Sequence, residues 1–205
     1  MTETGLLLSR DLRTFKRLGR MTYSGIDDRD VILFPETVNG KYITLHRPMQ
    51  WCGSGYDCAY PSIWISVSDT LLEPGKMKLL AKNILPWECK IGGSTPPLKT
   101  GQGWLMLYHS VGRDLIYRVG VMMLDLHDPT RVIARASDFI MEPEYDYETS
   151  GFYNGCVFPS GNVVVDGKLY VYYGAGDRVC CVATCPLDDL IRYVMAYNSN
   201  GKCRA

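Results

Sequence analysis

Apolar residues in this chain gather in runs of strand length, each bounded by Gly, Pro, Asn or Asp. Such runs predict β-strands rather than helices. Three segments share one order: a Pro, a Gly turn, then a strand of aliphatic and aromatic residues. They are Asp30 to Pro48, Gly93 to His109 and Val157 to Tyr173, and their turn glycines Gly40, Gly103 and Gly167 stand about 64 residues apart. After each comes a second apolar run that ends on an aspartate: Ile63 to Asp69, Arg118 to Asp125 and Cys181 to Asp188. Gly5 to Asp11 reads as the same second run of a preceding unit. Only Leu187 to Tyr197 carries a helical pattern.

A fixed period with several strands per unit predicts an all-β propeller or a related array. A β-sandwich is the alternative, since it too has short strands but needs no fixed spacing. The units fall at about 21–85, 86–150 and 151–205, with residues 1–20 as the tail of an earlier one. Propellers close with roughly four to eight blades, and about three are expected here. An open array would leave strand edges bare, so the chain is expected to be part of a longer product or to complete itself by association.

Composition narrows the class. With 46% hydrophobic and 21% charged residues, a packed core is expected. The 22 basic and 22 acidic side chains cancel, which argues against a general nucleic-acid binder. No apolar run reaches the roughly 18–20 residues of a membrane span. Met1 to Leu8 lacks the basic flank and apolar stretch of a signal peptide. The eight cysteines are therefore expected to be reduced thiols in a cytoplasmic protein. Cys180, Cys181 and Cys185 cluster, but no CxxC pair occurs and no His follows at ligand spacing. Small apolar filler is the reading preferred over a metal site.

Several stretches then resemble glycoside hydrolase family 130, the β-mannoside phosphorylase family. Arg29-Asp30 followed by LFPE, NGKY and LHRP (ending at Pro48) resembles its central stretch. Trp87 to Pro97, Gly103 to His109 and Tyr117 to Gly120 resemble its next blade, and Gly151 to Pro159 with Leu169 to Asp177 its last. The resemblance covers nearly the whole chain. It implies a five-bladed propeller with a central funnel. It also implies inverting phosphorolysis of β-mannosides to α-mannose 1-phosphate, with inorganic phosphate as co-substrate and no cofactor.

Carried over motif by motif, the implied phosphate ligands are Arg29, Arg47, Lys90, His109 and Tyr117, and the implied sugar ligand is Asp177. Guanidinium, ammonium and imidazole donors suit a phosphate dianion, and a carboxylate suits neighbouring sugar hydroxyls. Each has a plainer reading beside it. Arg29 lies in an acidic loop, Arg47 closes a strand, Lys90 could be surface charge, and His109 and Tyr117 could be core. Asp177 sits in a Gly turn that such turns favour anyway. The family's general acid is an Asp expected upstream of Met1, with no counterpart in this chain. Family members that hydrolyse β-mannosides with water, and a non-catalytic carbohydrate-binding propeller, are the alternatives. A homo-oligomer is also expected as one route to completion.

Overall fold

A computed structural model describes residues 1–197. It holds fourteen strands and two helices: β1 (Gly5–Leu8), β2 (Lys16–Arg20), β3 (Asp28–Leu33), β4 (Tyr42–Pro48), β5 (Ile63–Ser68), β6 (Met77–Ala81), β7 (Lys90–Gly93), β8 (Leu98–Lys99), β9 (Trp104–Val111), β10 (Tyr117–Leu124), β11 (Val132–Arg135), α1 (Asp146–Thr149), β12 (Val157–Val165), β13 (Lys168–Ala175), β14 (Val179–Pro186) and α2 (Leu187–Met195). The all-β expectation holds, and α2 occupies the one stretch with a helical pattern.

The strands form a β1–β2 hairpin and three antiparallel sheets in chain order: β3-β4-β5-β6, β7-β9-β10-β11 with β8 on β9, and β12-β13-β14. Each sheet is centred on the strand pair that the repeat predicts: β4 with β5, β9 with β10, and β13 with β14. The β1–β2 ladder matches the outer pairs β5–β6 and β10–β11 in kind. Among the described residues the third sheet has no strand after β14, and α2 takes that place in the sequence.

The middle sheet is covered on both faces, which explains its long unbroken apolar strands. Along β9, Trp104, Met106 and Tyr108 face the first sheet and pack with Ile43, Leu45, Ile63 and Ile65. The alternate residues Leu105 and Leu107, with Val119, Val121 and Met123 of β10, face the third sheet and α2. Period-2 alternation thus feeds two separate cores from one strand. Gly103, at φ +148, takes the turn into β9, where an added Cβ would lie 2.2 Å from the carbonyl oxygen of Leu124.

A buried Glu–Tyr pair recurs in the second and third sheets. Tyr108 donates to Glu88 at 2.8 Å, and Tyr173 donates to Glu148 at 2.6 Å. Each glutamate also accepts two backbone N–H groups three and four residues upstream: Ile84 and Leu85 for Glu88, Glu144 and Tyr145 for Glu148. Arg135 adds a 2.5 Å ion pair to Glu88. The seven described cysteines are all unpaired. Cys181 and Cys185 pack against the core, in keeping with apolar filler, whereas Cys180 is exposed. Cys203 lies outside the described residues.

Candidate functional site

The candidate side chains gather at one end of the sheets. Arg29 and Asp30 follow Asp28 at the start of β3, Arg47 is the last residue but one of β4, Lys90 opens β7, His109 nears the end of β9, and Tyr117 opens β10. Register brings them level. Arg29 pairs with Arg47, Lys90 with Val111, Gly92 and Val119 both with His109, and Tyr117 with Val111.

Two features tie Arg47 in place. Asp28, fully buried, accepts the Arg47 backbone N–H at 3.0 Å. Its other oxygen meets His46 Nδ1 at 2.8 Å, and His46 Nε2 meets Ser66 Oγ at 2.9 Å. This Asp–His–Ser line has the outline of a nucleophilic triad. All three residues are buried within the first sheet, out of reach of any substrate, so it is a polar brace across β3, β4 and β5.

The other feature is Asp30. The β3–β4 register slips between Arg29 and Ile32, and Asp30 adopts φ +51° there. An irregularity of this kind re-aims a side chain. It brings Asp30 Oδ2 to 2.7 Å from Arg47 Nε and 3.4 Å from His109 Nε2. Neither approach has the angle of a good hydrogen bond. Asp30 Oδ2, Arg47 Nε and Nη1, and His109 Nε2 are buried polar atoms without a hydrogen-bond partner. Unsatisfied buried polar groups are costly, and these converge on one place. Gly92 leaves the room they need: a Cβ there would stand 2.0 Å from Asp30 Oδ2 and 2.7 Å from the His109 ring.

Electrostatics follow from burial. Burial lowers the pKa of Arg47, although Asp30 opposes this. Lys90, half-buried, is lowered by burial and then by Arg47, against the pull of Asp30. Burial, with Arg47 and Lys90, holds His109 well below 6.5, so the ring is neutral at pH 7 and Nε2 offers one hydrogen-bonding position. Its other nitrogen meets Ser94 Oγ at 3.2 Å. Tyr117 is raised by burial, and its ring lies under the Lys90 ammonium at 5.8 Å. Arg29 is the outermost cation, held by Asp27 at 3.0 Å.

Asp177 lies in the β13–β14 turn, at the same end of the third sheet. It is exposed, at φ +50°. Cys156 Sγ donates toward it at 3.9 Å, and its charge acts on Tyr117 and Tyr153. Tyr153 meets Tyr117 edge-on at 5.0 Å, and Phe158 lies 4.5 Å from the His109 ring. Sequence reasoning passed over Asp30, Gly92, Tyr153 and Phe158 as site members. Asp30 stood in the Arg29-Asp30 pair, but only its unusual backbone conformation turns it inward. An apolar cavity of about 430 Å³ lies elsewhere, between α2, β13, β14 and Phe139 to Met141.

Residues 2–196 match the family model described as beta-1,4-mannooligosaccharide phosphorylase. A 1,2-beta-oligomannan phosphorylase of Thermoanaerobacter sp. (strain X514) is 41% identical over 165 residues, covering 80% of this chain and 52% of that protein. A beta-1,2-mannobiose phosphorylase of Listeria innocua is 38% identical over 173 residues, covering 81% and 47%. The solved structure of the Listeria innocua beta-1,2-mannobiose phosphorylase with beta-1,2-mannobiose superposes with a TM-score of 0.83 at 33% identity, covering 93% of this chain and 52% of that one. The chain spans about half the length of the curated relatives that it matches.

Proposed function

Because the chain belongs to glycoside hydrolase family 130, we propose that it carries the phosphate-binding part of a β-mannoside phosphorylase. In this reading the three sheets are blades of a five-bladed propeller, and their common end faces its central funnel. Arg47, Lys90, Arg29, His109 and Tyr117 hold inorganic phosphate, and Asp177 accepts from hydroxyls of the mannose ring. The phosphate oxygen attacks the anomeric carbon with inversion and releases α-mannose 1-phosphate. The leaving oxygen takes its proton from a general acid outside the set just named.

One observation carries the reading: three cations and a neutral imidazole, from four strands of two sheets, converge on buried polar atoms that lack partners. A dianion would satisfy those donors with charge-assisted bonds. A buried carboxylate, Asp30, in the same cluster favours a second reading. An inverting hydrolase needs a carboxylate base to activate water, and Asp30 is the candidate for it.

The test is Arg47→Ala in a protein that supplies the general acid, such as this chain joined behind the first half of the Listeria relative. Removing one guanidinium from a partly buried anion site costs about 2–5 kcal/mol, which is on the order of 30- to several-thousand-fold in apparent phosphate affinity. Mannoside affinity, resting on Asp177 and its neighbours, stays near wild type. Loss of mannoside affinity with an unchanged phosphate KM would assign Arg47 to sugar or structure instead.

A further inference from the structure

Asp30 is at odds with its surroundings in a phosphate site. A carboxylate placed between Arg47 and His109 repels the dianion that those groups would hold. Yet the fold is shaped around it, through the irregularity in β3, the left-handed backbone and the missing Cβ at Gly92. We propose that Asp30 is a resident counter-anion: it neutralises Arg47 while the site is empty and gives way, by taking up a proton, when phosphate enters. This rests on the phosphate reading above and makes Asp30 a positioning residue that sets phosphate affinity.

The groups facing Asp30 come from every neighbouring element. They are Arg29 and Asp28 on its own strand, Arg47 on β4, Lys90 on β7 and His109 on β9. Tyr117 on β10 reaches the set through Arg47 and Arg29. Burial raises the Asp30 carboxyl above its ordinary 3.8, while Arg47, Lys90 and Arg29 pull the other way and Asp28 adds to the rise. A dianion drawing on those same cations removes that opposing pull, and the carboxyl rises further. Protonated, Asp30 becomes a hydrogen-bond donor to a phosphate oxygen instead of a competitor for Arg47. Binding of the dianion is therefore linked to the uptake of one proton by this carboxyl, and affinity falls as pH rises above its pKa in the empty site, by up to about tenfold per pH unit.

The test is calorimetric titration of the 205-residue chain with inorganic phosphate and with sulfate, a dianion that does not itself titrate near neutrality. It is run from pH 6 to 8 in buffers of different ionisation enthalpy. The wild-type chain is expected to take up close to one proton per sulfate bound, a result that needs no variant. Asp30→Asn is expected to fold, because Asn tolerates positive φ. It should bind both anions about tenfold or more tightly at pH 8 and lose the Asp30 share of the pH dependence, leaving that of Lys90. Equal affinity and equal pH dependence in Asp30→Asn, no proton uptake by the wild type, or weaker binding by Asp30→Asn throughout would each overturn the proposal. Arg47→Ala separates the two readings. If it abolishes binding while Asp30→Asn changes nothing, the phosphate site stands and the counter-anion does not. If it leaves binding intact, the phosphate reading fails and takes this inference with it.

Discussion

Asp28 gives one carboxylate oxygen to His46 and the other to the backbone of Arg47. Replacing it with Ala would leave two buried polar groups unsatisfied beside Ser66. At about 1–3 kcal/mol for each such group, Asp28→Ala should destabilise the chain by about 3 kcal/mol. Chemical denaturation would register this as a lower midpoint with an unchanged slope, and an unshifted midpoint would contradict the brace. The short motifs made Arg29, Arg47, Lys90, His109 and Tyr117 legible as candidates, because each lies in a run whose order is distinctive. Asp30 was legible as a letter but not as a site member, since its inward turn depends on a local slip in pairing that no periodicity reports. His46 was equally silent: its partners are 18 and 20 residues away, so nothing local marks it as paired.

The strand pairs at the centre of each sheet were readable, because Gly turns and uniform apolar runs mark them. The outer strands were not. β6 and β11 are short and carry mixed patterns, and their pairing is set by the strand they lie against. The recurring Glu–Tyr pair was also hidden, since Glu88 and Tyr108 lie 20 residues apart and Glu148 and Tyr173 lie 25 apart. It makes two predictions. Glu88→Ala leaves Arg135 buried without its carboxylate, a loss of about 3–5 kcal/mol, whereas Tyr108→Phe, which removes one hydrogen bond, should cost about 1 kcal/mol. Thermal melts that rank the two in the opposite order would contradict this arrangement. For Glu148, burial pushes the carboxyl up, but the bonds from Tyr173 and from the backbone of Glu144 and Tyr145 outweigh it and hold the group below its ordinary 4.5. A depressed carboxylate contributes stability that is fully present above the unfolded-state value and is lost as pH falls through the folded one. Glu148→Gln should therefore flatten the loss of stability below about pH 4.5, and an unchanged acid limb would exclude this role.

At the scale of the molecule, the middle sheet is covered on both faces and the outer ones are not. Val163, Tyr172 and Val182 leave apolar surface on the third sheet, and Leu7, Leu8, Leu12 and Phe15 leave more on the β1–β2 hairpin. Uncovered sheet faces and edges invite association, so the isolated chain should show a concentration-dependent mass by light scattering. A clean monomer at all concentrations would count against this. The phosphate site stands or falls on whether inorganic phosphate ends up on the sugar. Its most direct measurement is phosphorus NMR of the chain joined to the first half of the Listeria relative, incubated with β-mannobiose with and without inorganic phosphate. α-Mannose 1-phosphate is expected when phosphate is present, with no turnover without it and loss of the signal in Arg47→Ala. Free mannose released at the same rate with or without phosphate would contradict it.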